Sequence, residues 1–214
     1  MRVRDKSSCL ETDKGCYWPE QVAARRAALE RVQKAVVGRY QSLLDPMAGT
    51  GSDALLLRAD KSQCYVNDID PQCRELLRQQ FACVGDHDFF TREGRFNLEL
   101  NPDLIFLDFN NWTQHKFAGR YGDCTRWAFQ QAQKFVILND TTFFYLRQYG
   151  RVARANVSQL LGTQLNSMED YSDQLKNVGL CGWKATVIEQ FYASSPKGNG
   201  GAAYVLFEKS ENAS

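Results

Sequence analysis

The sequence predicts an α/β fold: a doubly wound, mostly parallel seven-stranded sheet with helices on both faces and a C-terminal antiparallel hairpin. Short apolar runs alternate with segments of helical periodicity along most of the chain, which is typical of a parallel sheet covered by helices. A turn with two glycines links the first apolar run to a helical segment. Two long alternating segments at the end of the chain indicate a hairpin.

Each element has its own signal. Pro19 is placed to open the first helix, in which Val22, Leu29, Val32 and Val36 share one face, and Gly38 is placed to end it. The predicted strands are 42–45, 64–68, 81–84, 103–108, 134–140, 183–192 and 202–207. Further helices are predicted from Ser52, with Ser52 and Asp53 as its cap, from Pro71, with Asp70 as its cap, and at 123–133, 142–154 and 158–178 with breaks near Gly150 and Gly162. The glycine-rich stretch 194–201 is predicted to be a long loop between the last two strands.

Composition sets limits on function. The 214 residues carry a net charge of +1, so no strong overall field favours either a nucleic acid or a basic partner. Seven dispersed cysteines without a Cys-x-x-Cys pair, together with only two histidines, argue against a zinc site and for reduced thiols. We therefore expect a cytoplasmic protein without a zinc site, and we assign no metal ligands.

The ends of the chain show no targeting signal. No apolar segment follows the charged start, and no apolar run reaches the ~18 residues of a membrane span, so no membrane association is expected. We expect a flexible N-terminal arm at 1–16, one catalytic domain at 17–209 and a loose tail at 210–214.

Acidic residues end most of the predicted strands. Asp45, Asp68, Asp108 and Asp140 stand at or directly after four strands, and Asp86 follows the weaker third one. Ligands bind at the carboxyl ends of the strands in doubly wound sheets, so these carboxylates should converge on one site. The turn Asp45-Pro-Met-Ala-Gly-Thr-Gly lacks both the third glycine of a dinucleotide site and the lysine of a phosphate-binding loop. An acidic turn of this kind favours a ligand that carries a positive charge.

Four segments in order resemble the motifs of class I S-adenosylmethionine (SAM)-dependent methyltransferases. They are DPMAGTG at 45–51, VNDIDP at 66–71, VGD at 84–86 and LIFLD at 104–108. The resemblance spans residues 43–207 and implies SAM as the cofactor.

The resemblance also implies roles for individual residues. The methionine part of SAM would lie against Asp45 and the turn residues Met47, Ala48, Gly49 and Gly51. Asp68 would bind both ribose hydroxyls, and Ile69 would pack on the adenine. Asp86 would accept a hydrogen bond from the adenine amino group beside the backbone of His87, and Asp108 would form the floor of the active site.

The segment after the fourth strand, Asp108-Phe109-Asn110-Asn111-Trp112, would meet the methyl acceptor. We expect Asp108, Asn110 and Asn111 to hold the acceptor group, and Phe109 and Trp112 to stack on a base. The segment lacks the proline pair of DNA amino-methyltransferases and the Pro-Cys of cytosine-C5 enzymes. The form of the glycine turn resembles that of nucleic-acid methyltransferases, which favours an RNA or DNA base nitrogen as the acceptor.

Two other functions stay open. A small-molecule O-methyltransferase could use a divalent metal on Asp108, Asn139 and Asp140, although the last two stand in inverted order relative to metal-dependent relatives. A non-catalytic subunit that binds the cofactor and a partner is the other alternative.

The first helix carries Arg25, Arg26, Arg31 and Lys34, which have two interpretations. A solvated face is the favoured one. The other is a basic surface beside the glycine turn that meets the substrate.

Overall fold

A seven-stranded sheet runs through the molecule. The structure, a computed structural model, describes residues 19–58, 63–108, 119–195 and 198–209. The strands are β1 Leu43–Asp45, β2 Cys64–Asn67, β3 Cys83–Gly85, β4 Leu104–Leu107, β5 Phe135–Asp140, β6 Lys184–Ser195 and β7 Gly198–Glu208. The helices are α1 Pro19–Val36, α2 Ser52–Leu57, α3 Pro71–Arg78, α4 Arg92–Phe96, α5 Gly119–Gln131, α6 Thr142–Leu161 and α7 Met168–Asn177. The predicted fold class is confirmed.

The order of strands creates a switch point in the middle of the sheet. The strands lie in the order β3-β2-β1-β4-β5-β7-β6, and the first five are parallel. The chain winds outward from β1 to β3 and then crosses to β4 on the other side of β1. The carboxyl ends of β1 and β4 therefore diverge into loops on opposite sides, which opens a crevice at this edge.

Two helical layers cover the sheet, and each encloses an apolar core. Helices α1, α2 and α3 lie over one face, where Leu29 and Val32 pack with Phe106 and Leu206. Helices α5, α6 and α7 lie over the other face. The buried face of α1 is the one predicted from its helical spacing.

The helix caps agree with the predictions at α3 but not at α2. Asp70 caps α3 by accepting a hydrogen bond from the Gln72 backbone N–H at 2.9 Å, and Pro71 follows it as predicted. The prediction that Ser52 and Asp53 cap α2 is wrong, because the cap is Gly51 in the left-handed conformation, without a side-chain hydrogen bond. The Asp53 side chain instead reaches Arg25.

The prediction of a long loop between the last two strands is also wrong. Strand β6 continues to Ser195, and its pairing with β7 extends to Ser195 opposite Gly198. A Cβ at Gly201 would lie 2.6 Å from the backbone oxygen of Phe191, so glycine permits a close approach of the two strands there. The glycines therefore belong to the ladder and do not form a loop.

The predicted breaks in the helices after β5 are confirmed. Gly150 has non-helical dihedral angles within α6, and Gly162 ends that helix in the left-handed conformation. Within the ranges that the structure describes, none of the helices is both long enough and apolar enough to cross a membrane. The predicted arm at 1–16 and tail at 210–214 lie outside the described residues.

Candidate active site

The turn after β1 is held against β2 by backbone hydrogen bonds. The Ala48 N–H donates to the Asn67 carbonyl at 2.9 Å, and the Gly49 N–H donates to Asp68 Oδ2 at 2.9 Å. Both Gly49 and Gly51 have positive φ, at 54° and 79°. No residue that the structure describes lies within 4 Å of the place that a Cβ at Gly49 would take, whereas a Cβ at Gly51 would lie 2.7 Å from atoms of Leu77 and Phe81. Gly49 therefore presents bare backbone to the open side of the turn, and Gly51 allows the turn to pack on α3.

A cleft opens between this turn and the ends of β2 and β3. Its volume is about 170 Å³. Four of the residues predicted to bind the cofactor line it, namely Met47, Asp68, Ile69 and His87. The remaining lining residues are Pro46, Asn67, Asp88, Phe89 and Phe90. The cleft thus has a carboxylate on one wall and apolar side chains around it, which suits a ligand with a polar sugar and a flat apolar ring.

Asn67 holds the two sides of this cleft together. Its Nδ2 donates to the carbonyls of Pro46, at 2.9 Å, and His87, at 2.8 Å, while its Oδ1 accepts from the His87 N–H at 2.8 Å. The side chain is 1% exposed, so these bonds form away from water. Asn67 therefore fixes the spacing between the turn after β1 and the loop after β3. The sequence offered one signal for it, an amide inside an otherwise apolar strand.

Asp86 does not line the cleft. Its side chain is 65% exposed and lies beside the His87 ring, with 3.7 Å between His87 Nδ1 and Asp86 Oδ1. Asp88, two residues on, does line the cleft, and its Oδ1 accepts from the Phe90 N–H at 3.0 Å. Of these two carboxylates, Asp88 is therefore the one that lines the cleft.

Asp45 is buried among other carboxylates. It is 2% exposed, and its Oδ1 accepts from the Met47 N–H at 3.2 Å. Burial is the main cause that raises the pKa of Asp45 well above its ordinary value, and the negative charges of Asp53, Asp108 and Asp68 add to it. Burial also raises the pKa of Asp68, although its bonds from the Asp70 and Gly49 N–H groups oppose this. The negative charges of these carboxylates repel one another, so a cation near them is favoured.

The strand register aligns three polar side chains beside the cleft. Leu107 pairs with Leu138, and Asn139 pairs with Tyr204, so Asp108, Asn139 and Tyr204 form one row across β4, β5 and β7. Asn139 Nδ2 donates to Asp108 Oδ1. Because the Asp108 partner is a carboxylate, the donating atom must be the amide nitrogen.

Arg25 of α1 lies over this row. Its guanidinium forms ion pairs with Asp53 and Asp108, and its Nε donates to the Tyr204 hydroxyl at 2.5 Å. Arg25 is 6% exposed. The favoured interpretation of a solvated basic face is therefore wrong for Arg25, because this side chain neutralises carboxylates at the edge of the sheet.

The other cations of α1 are exposed. Arg26 pairs with Glu30 on the same helix, and Arg31 pairs with Glu189 of β6. Lys34 is exposed as well. The solvated-face interpretation is confirmed for these three residues. Two of the three charges are paired, so α1 presents little net positive surface to a polyanion.

The set Asp108, Asn139 and Asp140 does not come together as a metal site. Asp140 faces the other side of the sheet from Asn139, where its Oδ1 accepts from the Thr142 N–H at 2.8 Å and its Oδ2 accepts from the Tyr171 hydroxyl at 2.7 Å. Asn139 directs its NH₂ group, which cannot bind a metal, towards Asp108. Among the described residues, no three His, Cys, Asp or Glu side chains are placed to hold a metal ion. The predicted acceptor residues Phe109, Asn110, Asn111 and Trp112 lie outside the described residues.

This arrangement of strands and helices is shared with solved structures. A protein from Pyrococcus horikoshii that is proposed to be an RNA methyltransferase is 16% identical, with 100% of each chain covered and a TM-score of 0.54. The N-methyltransferase NodS from Bradyrhizobium japonicum is 14% identical, with 90% of this chain and 98% of that chain covered and a TM-score of 0.52. The chain has the fold of SAM-dependent methyltransferases. An O-methyltransferase from Bacillus cereus, solved with SAH, is 13% identical over 97% of this chain and 93% of that chain, with a TM-score of 0.51.

These similar structures belong to methyltransferases of different kinds, so the methyltransferase fold by itself does not select a substrate. No protein-family model and no curated protein matches the sequence. The acceptor must therefore be argued from this chain's own side chains.

Proposed function

We propose that the chain is a SAM-dependent methyltransferase that acts on a base nitrogen of a nucleic acid. The observation that carries the first half is the cleft between the turn after β1 and the ends of β2 and β3, with Asp68 on its wall. Each part of SAM has a chemical counterpart in and beside this cleft.

The ribose is assigned to Asp68. Each of its oxygens already accepts one backbone N–H, from Asp70 and from Gly49. A carboxylate offers about four lone-pair positions, so about two remain for the ribose hydroxyls. The bonds from the backbone also fix the orientation of the carboxylate before the ligand arrives.

The adenine is assigned to Ile69 and Asp88. Ile69 is 57% exposed on the rim of the cleft, an unusual place for a large apolar side chain unless a ring packs on it. Asp88 lies on the same cleft and supplies an acceptor for the adenine amino group, the role that the motif resemblance gave to Asp86.

The methionine end is assigned to the Gly49 backbone and the buried acidic group around Asp45. The ammonium and the sulfonium of SAM are both cations. Burial and the negative charges of Asp53, Asp108 and Asp68 raise the pKa of Asp45, and a bound cation would favour its charged form. Arg25 shares Asp108 with this group and keeps the row of polar side chains in place.

The acceptor is assigned to the edge at Asp108. Methyl transfer from a sulfonium needs an oriented nucleophile and, for an amino group, an acceptor for the proton. The Asp108 carboxylate is held by Asn139 and Arg25, one fifth of its side chain is exposed, and it can orient an N–H group. Among the described residues, the buried oxygen Asn139 Oδ1 has no hydrogen-bond partner, so we assign it as a second acceptor for such a group beside Asp108.

A transfer assay tests the proposal. The protein is incubated with methyl-labelled SAM and, separately, with single-stranded RNA, single-stranded DNA and a pool of small-molecule phenols and amines. We expect label in a nucleic acid and the same rate with EDTA, because Asp140 is engaged by Tyr171 and Thr142. Label in the small molecules alone would contradict the nucleic-acid half of the proposal. Binding of SAM without any transfer would instead favour a non-catalytic subunit.

A further inference from the structure

A shallow cleft between the start of α6 and strand β6 lies apart from the cofactor cleft. Phe144 and Arg147 of α6 line one side of it, and Gln190 and Tyr192 of β6 line the other. Phe144 and Tyr192 are half-buried, and Arg147 is exposed. The cleft thus combines flat aromatic rings with a cation at the surface.

Four aromatic rings form a continuous series along this surface. Tyr149 stacks on Tyr145 with centroids 5.6 Å apart and planes 18° apart. Tyr145 contacts Phe144 edge-on at 5.3 Å, and Phe144 stacks near Tyr192 at 6.2 Å and 27°. Tyr149 is 51% exposed. The rings of this series are only partly covered, so packing of the core does not account for it.

Helix α6 adds positive charge to the same surface. Arg147, Arg151 and Arg154 follow each other at spacings of four and three residues, and α6 contains no Asp or Glu. Gly150 breaks α6 between Arg147 and Arg151, so only Arg151 and Arg154 are neighbours on one regular stretch of helix. The Arg147 guanidinium lies 4.2 Å from the centre of the Tyr192 ring, which is a cation–π contact. Since the whole chain has a net charge of +1, α6 is a local concentration of positive charge.

The register of the sheet connects this surface to the proposed acceptor site. Asn139 pairs with Tyr204, Tyr204 pairs with Glu189, and Tyr192 follows three residues later on β6. With strands about 4.8 Å apart and about 3.3 Å per residue, the backbone of Tyr192 lies roughly 15–20 Å from that of Asp108. The Tyr192 side chain points to the other face of the sheet from Asn139 and Tyr204, so a bound strand would cross the carboxyl end of the sheet between the two. A few nucleotides of an extended strand span that distance.

We propose that this aromatic and basic surface binds a single-stranded segment of the nucleic-acid substrate next to the base that is methylated. Bases stack on Phe144 and Tyr192, and the arginines of α6 bind the phosphates. This inference rests on the proposed function, because it gives the substrate of that same site a path across the protein.

The chemistry of the surface favours a single strand over a duplex. An aromatic side chain can stack on a base only when at least one face of the base is not covered by a neighbouring base, as in single strands and loops. Three arginines without an acidic residue on the helix complement a polyanion. A duplex would offer its phosphates to the arginines but no base face to the rings.

A binding measurement without turnover tests the surface. Fluorescein-labelled 12-nucleotide RNA and DNA strands, and the matching duplex, are titrated with the full chain in the presence of SAH. We expect tighter binding of the single strands than of the duplex. Replacing both rings in a Phe144→Leu/Tyr192→Leu variant should weaken single-strand binding about tenfold or more, because each stacked base contributes substantially to affinity. Tyr192→Phe, which keeps the ring, should bind as the wild type does.

The charges are tested by the salt dependence of the same titration. Arg147→Gln should reduce the slope of log Kd against log salt by about 0.7, the value for one phosphate contact on a single strand. Arg78→Gln is the matched control, since it removes one charge from another exposed helical arginine, on α3, away from the surface. The control should leave the slope unchanged.

Binding of SAM by each variant separates this inference from the proposed function. If the double variant binds SAM like the wild type and also binds single strands as tightly, the surface is not the nucleic-acid site, although the methyltransferase proposal stands. Equal binding of the duplex and the single strands would also overturn the inference. If the wild type binds no SAM, the proposed function itself fails.

Discussion

The guanidinium of Arg25 contacts side chains from three other elements. Asp53 comes from α2, Asp108 follows β4, and Tyr204 belongs to β7. These partners are 28, 83 and 179 residues away in sequence. Burial is the main cause that raises the pKa of Tyr204 well above its ordinary value, and the charge of Asp108 adds to it, so Tyr204 stays a neutral hydrogen-bond acceptor for Arg25. One buried cation therefore joins α1, α2 and the sheet at the site edge.

Arg25→Gln should lower the free energy of unfolding by about 2–3 kcal/mol, since it leaves two partly buried carboxylates without their counterion. Chemical denaturation measures this change. Arg26→Gln is the matched control, because Arg26 makes only an exposed pair with Glu30, worth at most about 0.5 kcal/mol. Equal effects of the two substitutions would show that the buried ion pairs do not stabilise the protein.

Asp45→Asn should stabilise the protein at neutral pH. The pKa of Asp45 in the folded protein is raised above its ordinary value of 3.8. As the pH rises, the unfolded chain therefore loses this proton at a lower pH than the folded protein does. Stability that Asp45 retains at low pH is therefore lost as the pH rises towards the pKa of the folded protein. The asparagine removes this loss, and its Oδ1 can still accept from the Met47 N–H.

Thermal unfolding between pH 3 and pH 8 checks this prediction. The melting temperature of Asp45→Asn should exceed that of the wild type at pH 7 and approach it at pH 3. The exposed Asp86→Asn serves as the control and should follow the wild type throughout. A less stable Asp45→Asn protein at pH 7 would mean that the Asp45 carboxylate is compensated. The same variant should bind SAM more weakly, as expected when a functional charge costs stability.

At the level of elements, the turn between β1 and α2 separates two glycine roles. Gly51→Ala combines a left-handed backbone, which costs about 1–2 kcal/mol in an L residue, with contacts of 2.7 Å to Leu77 and Phe81. Gly49→Ala meets the backbone cost only, because its Cβ would contact none of the described residues. That Cβ position adjoins the proposed methionine site.

We expect Gly51→Ala to lose about 2–4 kcal/mol of unfolding free energy, as strain and overpacking add. Gly49→Ala should lose about 1–2 kcal/mol but bind SAM more weakly than this loss explains, because the added methyl group lies where the ligand approaches. Denaturation and calorimetry on both variants measure the two effects. Full SAM affinity in a folded Gly49→Ala protein would place the ligand elsewhere.

At the level of the whole molecule, local patterns were sufficient to predict the sheet. Leu104 to Leu107 are all buried, so a continuous apolar run indicated a central strand. Asp70 and Pro71 indicated a helix start because caps act within a few residues.

Features that depend on distant contacts were not predicted. Arg25 looked like a surface residue because its partners lie far away in sequence. Asp88 and Asp86 are both acidic and two residues apart, and only the path of the loop after β3 decides which one lines the cleft. The aromatic and basic surface combines Phe144 of α6 with Tyr192 of β6, so no single segment of the sequence contains both rings.

Calorimetric titration with SAM measures whether the cleft beside Asp68 binds the cofactor. We expect one site of micromolar affinity in the wild type, weakened about 10- to 100-fold in Asp68→Asn, since hydrogen bonds to a charged group are lost. Asp86→Asn, with the same change of charge on an exposed side chain, should bind as the wild type does. No binding by the wild type, or equal affinity in Asp68→Asn, would show that this cleft is not the SAM site.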